Sequence, residues 1–144
     1  VMKITQISVF LENRKGRLYE ICSMLGKAGI NIRALTIAET ESFGVLRMVV
    51  DKPAEAVELF RRNSVTANQT EVVAVEVPDK PGGLAEVLKV LSDHNVNVEY
   101  MYGFIEKFSE NALLVFRFDN PEYAHQVLSQ NHIKVVGQRD IKGL

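Results

Sequence analysis

The sequence predicts an α+β protein made of two like β-α-β-β-α-β units in tandem. Three observations predict it. A stretch that reads as strand end, glycine turn, amphipathic helix and second strand occurs twice, at residues 12–32 and 79–98. Apolar residues alternate by two on either side of each helix and recur at helical spacing within it. Turn and cap residues then punctuate both halves in the same order.

The repeat is read residue by residue. At a shift of 66, Gly16 falls on Gly82, Leu18 on Leu84, Glu20 on Glu86, Leu25 on Leu91 and Asn31 on Asn97. Ile21, Ile30 and Ile32 fall on Val87, Val96 and Val98. Further on the shift is 68, since Asp51-Lys52-Pro53 matches Asp119-Asn120-Pro121. The two extra residues therefore belong to the hairpin region around residues 107–111. A long repeat with its insertion confined to a turn marks duplicated units. The expected domains are residues 1–69 and 70–144. A unit of about 70 residues is marginal alone, which favours halves that share a buried face.

In order, residues 4–11 read as the first strand. The first helix carries Leu18, Ile21, Cys22, Leu25 and Ala28 on one face, and Gly29 ends it. Residues 30–38 are the second strand, 40–44 a turn, and 45–50 a β-branched third strand. Pro53 opens a second helix that turns Ala56, Leu59 and Phe60 inward. Residues 64–69 are polar and read as a short, poor fourth strand plus the link. The second half repeats this order: strand 71–77, helix 83–94, an aromatic-rich strand 96–106 and strand 112–118. A helix from Pro121, capped by Asn120, follows, and then a closing strand 133–137. Each half is thus a ferredoxin-like unit. Covering the edge strands 30–38 and 96–106 against each other would place the units side by side, as one eight-stranded antiparallel sheet with helices on one face.

Composition excludes several classes. Of 144 residues, 47% are hydrophobic and 24% charged, with a net charge of −1. No basic block supplies a nucleic-acid or anionic-membrane footprint. No apolar run approaches a membrane span and no signal-peptide pattern opens the chain, so a cytoplasmic protein is expected. Cys22 is the single cysteine and matches Leu88, which favours a packed thiol over a nucleophile. The spacing of His94, His125 and His132 is no metal motif. Tyr100, Tyr102 and Phe104 alternate by two on one sheet face. That reads as packing, because a base-stacking platform would need a basic face beside it.

The glycine turns carry the chemistry. A helix that opens at Gly16 leaves its first N–H groups without intrahelical acceptors. With the helix dipole they suit a carboxylate, and glycine puts no side chain in the way. Asn13 and Asn31 add amide oxygens and donors. An α-amino acid needs both tools, donors for its carboxylate and oxygens for its ammonium. Arg14 and Arg17 stand near enough to assist an anion, though two solvated arginines are the plainer reading.

ISVFLENRKGRL followed by GINIRALTIAET, and VEVPDKPGGLAEVLKVL followed by NVNVEYMY, resemble the ACT domain family, small amino-acid-binding regulatory modules. The first copy is similar to the regulatory subunit of acetolactate synthase and to the serine-sensing end of phosphoglycerate dehydrogenase. The resemblance covers most of both halves and implies a non-catalytic module holding a free amino acid between its halves. It places Asn13, Gly16, Leu18 and Asn31 at the ligand in the first half, and Asp79, Gly82, Leu84 and Asn97 in the second. Their neighbours Lys15, Arg17, Ile32, Pro81, Gly83 and Val98 complete the candidate set. Lys15 departs from the family's usual proline, which Pro81 retains. Asp79 in place of Asn13 would repel a carboxylate, so the two sites need not work equally. No cofactor, metal or catalytic residue is implied. The partners are the amino acid and, through it, a regulated metabolic enzyme, with a homodimer compatible. Three other functions remain open: a regulatory subunit for branched-chain amino-acid synthesis, a pure protein-interaction module, and an acylphosphatase-like hydrolase using Arg14 or Arg17 with Asn31.

Overall fold

In the computed structural model, which describes residues 3–12, 14–39, 43–106 and 109–142, the chain forms two compact units. One is Thr5–Thr70; the other is Glu71–Leu144 together with Val1–Ile4.

The first unit runs β1 (Ile4–Glu12), α1 (Arg17–Lys27), β2 (Ile32–Glu39), β3 (Phe43–Val50), α2 (Pro53–Arg62) and the start of β4 (Ala67–Val77). Its strand order is β2-β3-β1-β4. β1 and β2 both run antiparallel to β3, with Val9 opposite Leu46 and Leu35 opposite Met48. Alternation along β1 turns Ile7, Val9 and Leu11 to one face, where they meet Ile21 and Leu25 of α1 and Ala56 and Phe60 of α2. Both helices therefore cover the same face. Gly29 closes α1 with φ +74°, and Ile30 N–H returns to Leu25 O at 3.0 Å.

The second unit repeats the plan with the rest of β4, α3 (Gly83–Asp93), β5 (Val98–Gly103), β6 (Ala112–Phe118), α4 (Pro121–Gln130) and β7 (Val135–Val136). Its order is β5-β6-β4, with β7 on the other side of β4. The core joins Val73, Val75 and Val77 to Val87 and Leu91 of α3 and to Val127 and Leu128 of α4. The rings of Phe116 and Phe118 stack at 5.4 Å within it. Asn120 caps α4 by accepting from Tyr123 N–H at 3.1 Å, whereas no side chain caps α2.

The structure corrects several expectations. The described residues form seven strands, not eight, because the first unit's last strand and the second unit's first are one continuous β4. Residues 64–69 were expected to hold a short, poor strand plus a link. The chain instead turns at Ser64, φ +56°, and one long strand runs unbroken from Ala67 to Val77. β5 ends at Gly103, short of the expected Glu106, and β7 keeps only two residues. A fifth helix, α5 (Gln138–Lys142), follows β7 and buries Ile141. Part of the expected turn at 40–44 lies outside the described residues, but Phe43 and Gly44 already belong to β3.

Candidate functional site

The two glycine turns are the same structure built twice. In the first, Arg14 N–H donates to Glu12 O at 2.8 Å, Arg17 N–H to Arg14 O at 3.3 Å, and Glu20 N–H to Gly16 O at 3.0 Å. In the second, Lys80 N–H donates to Pro78 O at 3.0 Å, Gly83 N–H to Lys80 O at 2.9 Å, and Glu86 N–H to Gly82 O at 3.0 Å. Gly16 and Gly82 are the N-caps, at φ +87° and +81°, a left-handed conformation that side chains resist. Neither helix has a side-chain cap, so its opening N–H groups face outward unserved by one. A Cβ on Gly16 or Gly82 would meet no atom within 4 Å, so space lies open in front of each turn.

The turns differ in what surrounds them. A Cβ on Gly83 would sit 2.0 Å from Pro78 O, so that position requires glycine. Arg17 matches it in the looser first turn. There Arg14 bonds both oxygens of Glu20 at 2.9 Å, and Arg17 Nη1 reaches the same carboxylate at 3.1 Å. Glu12 lies 3.6 Å from Arg14 and 3.9 Å from Arg17. The hydrogen bonds from Arg14 and Arg17 hold the Glu20 carboxyl below its usual range and, reciprocally, Glu20 holds the Arg14 guanidinium up. The two arginines are thus engaged by acids of this chain rather than standing ready for a ligand. At the second turn Lys80 and Glu86 approach each other at 3.9 Å.

Asn31 sits elsewhere. It follows α1 while Gly16 precedes it, and an eleven-residue helix is about 16 Å long. One amino acid cannot touch both within a unit. Asn31 is latched through its backbone: its N–H donates to Asp51 Oδ1 at 2.9 Å, and Asp51 N–H donates to Asn31 O at 3.0 Å. Asp119 N–H meets Asn97 O in the same way, at 3.4 Å. Both asparagine side chains lie on exposed residues. Ile32 and Val98 pack against the cores, as does Leu84, whereas Leu18 is exposed. Lys15, Asp79 and Pro81 are exposed and Gly83 is buried. Asn13 lies outside the described residues.

Two features escaped the sequence reading. A cavity of about 470 Å³ in the second unit is lined by Glu76, Glu86, Val90, Asn111 and Lys134 among others. Glu76 accepts there from Ser109 and Asn111, residues of the lengthened hairpin, at 2.7 and 3.1 Å. Its match in the first unit is Phe10, and only that apolar-to-acid exchange could have pointed to it. The second feature is a slip in the β2–β3 ladder between Ile32 and Ala34, repeated in β5–β6 between Val98 and Tyr100. Bulges leave no mark on an alternating pattern that short.

Other chemistry is sparse. Cys22 is half-buried and burial pushes its thiol up, away from the reactive thiolate. Burial pushes the His125 imidazole down, and its Nε2 is buried without a partner. His94 Nδ1 lies 2.8 Å from Val90 O. No group of three metal-ligating side chains occurs among the described residues, and no helix there is long and apolar enough to cross a membrane.

Comparison with known proteins agrees with this construction. The family model described as an ACT domain pair matches residues 2–144. The crystal structure of protein BT0572 from Bacteroides thetaiotaomicron is 38% identical, covers 99% of this chain and 98% of its own, and superposes with a TM-score of 0.93. The ligand-free regulatory subunit of aspartate kinase from Thermus thermophilus shares the fold at 19% identity, with 91% and 92% covered and a TM-score of 0.66. That of Thermus flavus does so at 15% identity, with 92% and 94% covered and a TM-score of 0.60. No curated protein matched. With a strand–turn–helix built twice and a family model spanning nearly every residue, the chain belongs to the ACT domain-pair family.

Proposed function

We propose that the protein is a non-catalytic regulatory module that binds a free amino acid and passes its occupancy to a metabolic enzyme. The observation that supports this most is the recurrence, in both units of an ACT pair, of the same polar groups at the two ends of one helix. Each unit presents an uncapped helix start behind a left-handed glycine and an exposed asparagine at the foot of its second strand. A core gains nothing from amides and unserved N–H groups, whereas an amino acid is recognised by such groups. The engaged arginines at the Gly16 turn weigh against a phosphate-cleaving reading, since an acylphosphatase-like site needs its guanidinium open to substrate. We place the protein in the cytoplasm, where free amino acids report metabolic state.

The test is thermal stabilisation of the full chain across the common amino acids. A ligand at a hundred times its Kd adds about 2.7 kcal/mol to stability. One or a few related amino acids should raise Tm and the others should not. A flat response across the panel would leave the interaction module as the better reading.

A further inference from the structure

The matched bulges in β2 and β5 have different occupants. A bulge leaves one residue out of the ladder and re-aims its side chain, a device frequent beside binding sites. The residues left out are Arg33 and Glu99, of opposite charge at matched positions. Glu99 is neutralised within its unit: Arg117 Nε lies 3.5 Å from its carboxylate, and Arg117 also donates to Glu71 O at 3.0 Å. In the first unit the position matching Arg117 is Val49, which is fully buried and offers no charge.

Arg33 is consequently left over. It is half-buried, its Nε is buried without a partner, and its side chain makes no hydrogen bond or ion pair with any described residue. Arg14 and Arg17 hold Glu20 through their terminal nitrogens, although Arg17 Nε is likewise buried without a partner; Arg33 alone of the three has no ion pair with a described acid. The acid nearest in the chain's pairing, Asp51, is spent on the Asn31 backbone. A buried donor left unmade costs about 1–3 kcal/mol, so such an orphan calls for a reason. Arg33 stands two residues from Asn31, at the end of α1 away from the Gly16 turn. An amino acid bound at Asn31 cannot lay its carboxylate on that turn. It needs a local donor, and a planar guanidinium is the group that grips a carboxylate with two parallel hydrogen bonds.

We propose that Arg33 is the carboxylate anchor of an amino-acid site at the foot of β2 in the first unit, with the Asn31 amide oxygen left for the ammonium. This rests on the amino-acid reading above. The matched end of the second unit, where Glu99 replaces the cation, does not bind a carboxylate this way, so the two units are unequal.

The experiment is titration calorimetry of the full chain with the common amino acids and their α-carboxamides. The wild type should bind its preferred amino acid at least tenfold more tightly than the matching carboxamide. Arg33→Gln should weaken the acid by about ten- to a hundredfold and leave the carboxamide unchanged, with Arg33→Lys between. If amino acids bind but neither Arg33→Gln nor the carboxamide makes a difference, the anchor is wrong and the amino-acid function stands. If no amino acid binds, both fall. If Arg33→Gln alters only the oligomeric state, the guanidinium serves a contact between copies and the anchor is again wrong. Should Arg33→Gln fail to fold, the wild-type preference for acid over carboxamide and the Arg33→Lys variant decide.

Discussion

Three glycines show how the same residue type answers to different physics. Gly83 is required by contact, because a methyl group there would meet Pro78 O at 2.0 Å. Gly83→Ala should lower stability by about 1–3 kcal/mol through a forced backbone shift, read as a drop in Tm. Gly26, inside α1, faces open space at ordinary φ. Gly26→Ala should instead raise stability by about 0.5–1 kcal/mol, since alanine loses less freedom in a helix. Gly16 is required by conformation, so Gly16→Val is expected both to strain the turn and to obstruct it. Glu20 carries the pH dependence of the first turn. Its folded-state pKa lies below that of the unfolded chain, about 4.3. The stability it adds is therefore present above that value and lost as pH falls through the folded one. The gap in Tm between wild type and Glu20→Gln should close on acidification below about pH 4, and urea melts across pH 2–7 read it. A gap constant over that range would mean the Arg14–Glu20 pair does not contribute. Glycine at each turn was legible from sequence. The separate reason for Gly83 was not, because it depends on where Pro78 O lies.

At the level of elements, capping and core burial divide the two units. Asn120 caps α4, whereas Lys52 at the matched position instead sends its ammonium to Gly29 O at 3.3 Å. Asn120→Ala should cost about 1 kcal/mol, measurable by chemical denaturation. Phe60 fills the first core from α2 and is fully buried. Phe60→Ala should cost about 3–5 kcal/mol, enough to unfold a unit this small or bring it close to unfolding. The helices were readable because their apolar spacing, prolines and glycines sit in the chain itself. Strand ends were less so. β7 was expected over residues 133–137 and keeps Val135–Val136, because pairing with Ala74 and Val75 decides its length, not local propensity. Residues 64–69 read as a short, poor strand plus a link because Ser64, Asn68 and Gln69 are polar. From Ala67 on they are strand because β1 lies beside them in the sheet, and sheet pairing overrides propensity.

For the whole molecule, the seam falls inside an element. The two compact units divide between Thr70 and Glu71, within β4, and the first four residues of the chain go with the second unit. Lys3 makes the reason plain: it pairs with Glu71 at 2.9 Å and with Glu122, both of the second unit. Fragments 1–69 and 70–144 would each carry a shortened β4, and the second would lose Lys3. By itself the sequence determined the duplication, the order of elements, the faces that meet in each core and the family. All of these follow from periodicity and punctuation repeated at a constant shift, and so need only neighbours along the chain. The sequence also set Gly16 and Asn31 at opposite ends of a helix, but tertiary structure decided that Asp51 latches the Asn31 backbone. It also decided that Arg14 and Arg17 are consumed by Glu20, and that Arg33 is left at a bulge without a partner. Those facts turn on which side chains fold back on one another, over only six residues for Arg14 and Glu20, and on where the β2–β3 ladder slips, neither of which spacing alone encodes.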